Sequence, residues 1–178
     1  MASLIDRMIR AAKLDKHLYE EVEADTNATG QAMLVVVLAS VAAGIGSTGV
    51  GGPAGLFFGA LIALAAWFVW AFLAYYIGTK LLPEPQTRAD VGELLRTTGF
   101  SSSPGLLRIL GIVPGLNAIV LLVCAVWMLV AMVIAVRQAL DFQSTARAIG
   151  VCLIGWVVQV VIIGLVMWLL GIGPGPQP

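Results

Sequence analysis

Long apolar stretches separated by polar segments dominate the sequence. No Asp, Glu, Lys, Arg or His occurs in residues 26–79, 109–136 or 148–178, which are runs of 54, 28 and 31 residues. A helix needs about 20 apolar residues to cross the hydrocarbon core of a bilayer. The pattern therefore predicts an all-α, polytopic transmembrane helix bundle. A membrane β-barrel would instead show short segments of alternating polarity.

Four full-length spans follow from these apolar runs. They are predicted at residues 32–50, 56–77, 118–136 and 149–171. The loop after the second span, residues 80–103, is polar, and a short helix is expected within it at residues 89–98.

A fifth, shorter apolar stretch covers residues 104–113 and contains Arg108. It begins at Pro104 and ends at the turn Pro114-Gly115, so these helix-breaking residues are candidate functional or structural positions. Cytoplasmic loops carry the excess of Lys and Arg. The arm, the loop at residues 80–103 and the connector at residues 137–147 carry the other basic residues. All three lie on the cytoplasmic side only if this stretch crosses the membrane as a kinked third span, or enters the membrane and returns. The prediction is five membrane segments, with the N-terminus cytoplasmic and the C-terminus outside. Its rival is four spans with both termini inside.

The first thirty residues differ from the rest of the chain in being polar and charged. Residues 1–30 are predicted to form a cytoplasmic arm, in which residues 3–23 form an amphipathic helix that is basic in its first half and acidic in its second. Such a helix lies on the membrane surface, docks a partner, or packs under the cytoplasmic end of the bundle. Residues 31–172 then form the transmembrane domain, and residues 173–178 form a disordered tail.

Composition excludes several classes of protein. Apolar residues make up 60% of the chain and charged residues 11%, whereas a soluble domain has about half and about a quarter. The net charge of zero argues against a nucleic-acid partner. His17 is the only histidine and has no second ligand at a suitable spacing, so no metal site is predicted. No phosphate loop or hydrolase motif is present, so neither catalytic residues nor a cofactor is expected.

Three strongly polar side chains lie in or near the apolar segments: Arg108, Asn117 and Gln159. Ionisable groups inside a membrane mark functional sites by default. The spans contain no Asp or Glu that would pair with Arg108. The expected partners are therefore a lipid phosphate, Asp90 or Glu93, and the favoured interpretation is that Arg108 extends to the cytoplasmic headgroups.

Small residues recur at every fourth position around the start of the second span, at Gly51, Gly55 and Gly59. Small residues at this spacing let helices approach each other closely. The row indicates either self-association through the second span or packing against the first span within one chain. The second interpretation is favoured.

Two runs of sequence are similar to a known family. The run from Glu93 to Pro104 resembles the entry into the third span of the Yip family (Ypt/Rab-interacting membrane proteins). The run from Trp127 to Leu140, followed by 144–148, resembles the fourth span of that family and its link to the fifth. The resemblance covers about residues 30–172 and implies five membrane helices with a cytoplasmic N-terminus. Eukaryotic members bind Rab-type GTPases through longer N-terminal regions; an arm of about thirty residues resembles a bacterial member, in the inner membrane.

The resemblance implies a non-enzymatic adaptor or scaffold that holds membrane proteins or lipids. One alternative is a small transporter or channel with its site at the helix break in residues 104–115, because broken spans mark substrate sites in transporters. Another is a lipid-handling or membrane-shaping protein that acts through the arm. The expected partners are membrane lipids, other membrane proteins or a second copy of the chain.

Overall fold

The computed structural model describes residues 3–47 and 52–169, and every regular element within them is a helix. The elements are α1 (Leu4–Ala12), α2 (Lys16–Ala24), α3 (Ala28–Gly46), α4 (Gly52–Tyr76) with a π-helical turn (Ile77–Leu81), α5 (Val91–Phe100), a 3₁₀ helix (Ser103–Ile112), α6 (Asn117–Ala139) and α7 (Thr145–Leu169). Gly51 and the tail 173–178 lie outside the described residues.

Four helices among the described residues are long and apolar enough to cross a membrane: α3, α4 with its π-helical turn, α6 and α7. Their described ends lie within four residues of the predicted spans. Large apolar side chains cover their outer surface, as at Phe57, Trp156 and Trp168, which are 62%, 64% and 71% exposed. A soluble monomer does not expose so large an apolar surface. These features describe a multi-pass membrane protein.

The segment formed by α5 and the 3₁₀ helix runs beside α3 in the same direction. At the end of α5, a Cβ atom added to Gly99 would lie 2.7 Å from the Cβ atom of Ala32, near the start of α3. Within the 3₁₀ helix, the carbonyl oxygen of Arg108 contacts Gly46, at the end of α3. The apolar stretch 104–113 therefore forms a 3₁₀ helix that continues the line of α5.

The arm is two helices, so the prediction of a single helix over residues 3–23 is wrong. Leu14 has a positive φ of 61°, which ends the helical path between α1 and α2. Asp15 then caps α2, because its carboxylate accepts a hydrogen bond from the backbone N–H of His17 at 3.0 Å. Leu18, Tyr19 and Val22 of α2 are fully buried, and α2 packs against α5 and α6. Of the three hypotheses for the arm, packing under the bundle describes α2.

The hydrophobic core is concentrated at the end of the bundle nearest the arm. Its largest fully buried side chains include Leu18 and Tyr19 of α2, Leu94 and Phe100 of α5, and Leu140 after α6. Trp67 and Trp70 of α4, Ala139 of α6 and Val151 of α7 belong to the same cluster. This end of the bundle, which we call the arm end, is thus packed as a single unit with the first helices of the chain.

Candidate functional site

A buried arginine attaches the arm to α5. The side chain of Arg96 is almost fully buried, and its Nε atom donates hydrogen bonds to the carbonyl oxygens of Val22, at 2.9 Å, and Glu23, at 3.1 Å. Its Nη2 atom also donates to the carbonyl of Glu23. The last carbonyls of an α-helix have no partner within that helix. Arg96 therefore supplies from α5 the hydrogen bonds that the C-terminal end of α2 lacks.

A second buried arginine joins α1, α2 and the start of α3. The Nη2 atom of Arg7 lies 2.8 Å from the carboxylate of Asp25 and 2.9 Å from that of Glu21. Its Nη1 atom donates to the side-chain oxygen of Gln31 at 3.0 Å. Hydrogen bonds from Arg10 and then from Arg7 lower the pKa of Glu21. The arm is therefore held by charge pairs as well as by apolar packing.

An acidic cleft lies between α2, α5 and the end of α6. Its volume is about 410 Å³. It is lined by Glu20, Glu23, Ala24, Glu93, Arg137, Gln138, Asp141 and Phe142. Burial, and then the charges of Glu93 and Asp141, raise the pKa of Glu23 to about 7. The cleft offers hydrogen-bond acceptors and negative charge, so its chemistry suits a basic side chain.

The two polar loops at the arm end are joined through Glu84. Its carboxylate accepts hydrogen bonds from the backbone N–H groups of Gln143, at 2.8 Å, and Ser144, at 3.2 Å, just before α7 begins. These bonds, the Gln143 one foremost, lower its pKa. Arg147 lies 3.5 Å from the same carboxylate. Glu84 thus caps α7 from a loop about sixty residues earlier in the chain.

The sequence analysis did not identify Arg7, Glu84 or Arg96 as important residues. Apart from Gln86, which bonds to the carboxylate of Glu84, the partners of these side chains lie 14 to 74 positions away, so no local spacing marks them. One local signal was available at the start of α5. Asp90 and Glu93 form a capping box, with each side chain bonded at 2.8 Å to the other residue's backbone N–H. That pattern would have placed the start of α5 at Val91 instead of residue 89.

Three of the predicted site residues of the helix break lie at the end of the bundle opposite the arm, whereas Pro104 lies nearer the middle, because the adjacent Gly105 packs against Ala39 of α3. Pro104 is buried in the first turn of the 3₁₀ helix, Pro114 is exposed, and Gly115 has a positive φ of 84°. Asn117 begins α6, and its side-chain amide donates to the carbonyl oxygens of Gly46, at 2.8 Å, and Gly111, at 3.3 Å. Asn117 therefore holds the turn against α3, which is a structural role.

Arg108 lies where neither predicted protein partner reaches it. Asp90 and Glu93 are engaged in the capping box of α5, and no ion pair joins either of them to Arg108. The carbonyl of Arg108 contacts Gly46, which is about 20 Å along α3 from Ala32. The predicted pairing with Asp90 or Glu93, and the predicted extension to the headgroups beside the arm, are therefore wrong.

A comparison with known protein families identifies the family of this chain. The family model described as the Yip1 domain matches residues 16–170. The chain belongs to the Yip family. The resemblance drawn from the runs after Glu93 and Trp127 is therefore confirmed. No curated protein and no solved structure matches the chain. The Yip1 match begins at Lys16, so it includes α2 together with the membrane helices that α2 packs against.

The remaining predicted residues of this Yip-family chain are distributed over other contacts. Gln159 on α7 donates to the carbonyl oxygen of Ala66 on α4 at 3.4 Å, so it joins two helices away from Arg108. A Cβ atom on Gly59 would meet no atom within 4 Å, so the favoured packing against the first span does not occur there. Gly55 is half-buried. The close approaches to α3 are made instead at Gly46 and Gly99.

Proposed function

We propose that this Yip-family protein is a non-enzymatic adaptor with five membrane segments, an N-terminus in the cytoplasm and a C-terminus outside. The alternating direction of the helices supports this topology. Leu56 at the start of α4 packs beside Gly44 at the end of α3, so the two helices run in opposite directions. Asn117 begins α6 beside Gly46, and Gly155 of α7 packs on Trp70 of α4.

The third segment would consist of α5 and the 3₁₀ helix. Ten residues of α-helix and ten of 3₁₀ helix have a combined length of about 35 Å, because the 3₁₀ helix rises further per residue. That length exceeds the hydrocarbon thickness of about 30 Å. The segment also follows α3 from Ala32 to Gly46. A hydropathy count misses it because its apolar part is short.

The contacts at the arm end support one cytoplasmic face. Glu84 bonds to Gln143 and Ser144, and Gln86 donates to the carbonyl of Asp141 at 3.0 Å, so both polar loops lie together. Gln138, at the end of α6, donates to the Glu20 side chain of the arm at 2.9 Å. The basic residues of the arm and of both loops are therefore on the same side, as the distribution of charge in membrane proteins requires.

The adaptor role rests on one observation, the fixed position of α2 on α5. Leu18, Tyr19 and Val22 are fully buried there, and Arg96 bonds to the last carbonyls of α2. The arm and α5 therefore present one preformed surface, and the acidic cleft opens within it. A preformed surface loses little conformational entropy on binding. We propose that a basic segment of a partner membrane protein binds this cleft.

Isolation of the protein in native lipid discs, followed by mass spectrometry, tests the proposal. We expect a stoichiometric protein partner, and we expect the double variant Glu20→Lys and Asp141→Lys to recover at least about tenfold less of it. Deletion of the whole arm is a poorer test, because it would expose the buried face of α5. Asp6→Lys is the matched control, since Asp6 is an exposed carboxylate of the arm outside the cleft. Equal recovery from the cleft variant and the control would contradict the adaptor role.

A second candidate, lipid handling through the arm, has support from α1. Its charged residues Arg7 and Arg10 turn inward to Glu21, whereas Ile5 and Ile9 are 69% and 50% exposed. This arrangement suits a helix whose outer face contacts acyl chains. Ile5→Glu with Ile9→Glu should abolish any effect on vesicle curvature or lipid distribution if this role is correct.

The transporter alternative, with its site at residues 104–115, rests only on the broken helix and Arg108. The buried hydroxyls of α5 and of the adjoining residues, Thr97, Thr98, Ser101 and Ser103, all donate to carbonyls of the preceding turn. They therefore have little capacity left for a solute. Solute flux in proteoliposomes that is lost in Arg108→Ala would favour transport over the adaptor role.

A further inference from the structure

Arg108 is a cation that the described part of the chain leaves without an acceptor. Its Nε atom is buried and makes no hydrogen bond. No carboxylate of residues 3–47 or 52–169 forms an ion pair with its guanidinium. The nearby polar group of Asn117 is occupied, because its amide already donates to two carbonyls. Arg108 is half-buried, and an unpaired cation at a site shielded from water is costly, so a partner from outside the chain would stabilise it.

The surface around Arg108 is apolar and exposed. Leu107, Ile109, Leu110 and Ile112 of the same 3₁₀ helix are between 41% and 56% exposed. Acyl chains are the neighbours that such a surface suits. Arg108 is about 8 Å from the end of the 3₁₀ helix at Ile112, given a rise of about 2 Å per residue. Because Nε is buried against the protein, the Nη1 and Nη2 atoms at the tip of this long side chain are the ones that can reach a headgroup.

We propose that Arg108 binds a phosphate group, supplied by the headgroup of an anionic lipid in the leaflet opposite the arm. A planar guanidinium donates two parallel hydrogen bonds to a phosphate, and phosphate is the anion that a bilayer provides at this depth. The 3₁₀ helix fixes the position of Arg108, because the carbonyl of this residue is packed against Gly46. The site is separate from the acidic cleft, so it stands or fails independently of the adaptor role.

Native mass spectrometry of the full chain, released from detergent with phosphatidylglycerol or phosphatidylcholine added, measures the binding. We expect the wild type to retain one phosphatidylglycerol molecule that Arg108→Gln binds about tenfold more weakly, as the loss of a charge-assisted hydrogen bond predicts. Arg108→Lys should retain part of the affinity, because a lysine keeps the charge without the planar fork. Arg88→Gln is the matched control, since Arg88 is exposed in the loop before α5.

Two further measurements decide the source of the phosphate and guard against misfolding. If a lipid headgroup occupies the site, phosphatidylglycerol should raise the melting temperature of the wild type and inorganic phosphate should not. An equal rise with phosphatidylglycerol and with inorganic phosphate would assign the site to soluble phosphate. Arg108→Met should melt cooperatively, because an apolar side chain suits this surface. Lipid binding that is equal in the wild type, Arg108→Gln and Arg88→Gln would overturn the proposal, as would an equal loss in both glutamine variants.

Discussion

The two ends of the bundle are held together by different kinds of contact. At the arm end, the buried cations Arg7 and Arg96 each have several acceptors, and Glu84 bonds two loops. At the opposite end, the closest contacts are between backbones, and the Asn117 side chain adds hydrogen bonds to them. Gly46 touches the carbonyl of Arg108, and a Cβ atom on Gly111 would lie 2.9 Å from the carbonyl oxygen of Gly46. No residue within 3–47 or 52–169 provides the Nε atom of Arg108 with an acceptor there.

The difference indicates at which end the protein provides hydrogen-bond partners for its own buried charged groups. Polar side chains at the arm end form a specific set of bonds within the protein, although the buried hydroxyl of Tyr19 has no hydrogen-bond partner among the described residues. The opposite end packs through small residues and presents an unpaired cation beside exposed apolar side chains. We therefore expect the opposite end to be disrupted most by side-chain atoms added at its glycines, and the arm end by the loss of polar side chains.

The largest effect should come from Gly46→Ala. The added methyl group would coincide with the carbonyl of Arg108, and backbone atoms on both sides cannot move aside easily. We expect a loss of more than about 3 kcal/mol in the free energy of unfolding, read as a lower melting temperature in detergent. Gly59→Ala is the matched control, since a Cβ atom there meets nothing within 4 Å and alanine favours a helix. A similar loss in both variants would show that the contact at Gly46 is unimportant.

The next largest effect should come from Arg96→Met at the arm end. Methionine fills much of the volume but leaves the carbonyls of Val22 and Glu23 without their donor, at a cost of about 2 kcal/mol. Amide hydrogen exchange of α2 should increase, while exchange of α7 stays unchanged. Arg88→Met provides the exposed control. Unchanged exchange in α2 would mean that apolar packing alone holds the arm.

A smaller effect is expected from Glu84→Gln, and it should depend on pH. The pKa of Glu84 is lowered in the folded protein, so the ionised carboxylate stabilises the fold above its ordinary pKa of 4.5, and this stabilisation is lost as the pH falls towards the folded value. At pH 7 the variant should have a lower melting temperature than the wild type. The difference should shrink as the pH drops below about 4.5, in a series of thermal melts. A difference that is constant with pH would contradict this role.

The smallest effect should come from Glu23→Gln in the acidic cleft, with the opposite sign. The pKa of Glu23 is raised from 4.5 to about 7, so the folded state binds the proton more tightly and the wild type loses stability as the pH rises between these values. At pH 8 the variant should be more stable by about 1 kcal/mol, after allowance for solvent screening. Below pH 4.5 the two proteins should melt alike. A variant that is less stable than the wild type at pH 8 would refute the account.

The sequence predicted most of the long helices and little of what connects them. Runs without charged residues marked α3, α4, α6 and α7, because burial in a membrane requires such runs regardless of the partner helix. The break at Leu14 and the bonds of Arg96 depend on which helices meet in three dimensions, so spacing along the chain does not reveal them. The expected partners of Arg108 were wrong for the same reason, since its distance from Glu93 depends on the extended 3₁₀ helix.

The polar character of α5 and the 3₁₀ helix has a consequence for biogenesis. On the proposed topology, this segment carries Arg96, Arg108 and several hydroxyl groups. An arginine costs about 2.5–3.5 kcal/mol in translocon-mediated insertion at the centre of a helix, and less towards the two ends, where these arginines lie. The polar groups together with the short apolar stretch therefore oppose insertion of this segment alone. The groove formed by α3 has to be present when residue 112 emerges from the ribosome. We expect the first two membrane helices to remain at the translocon until the third segment packs against them. The fold therefore depends on the synthesis of α3 before the third segment.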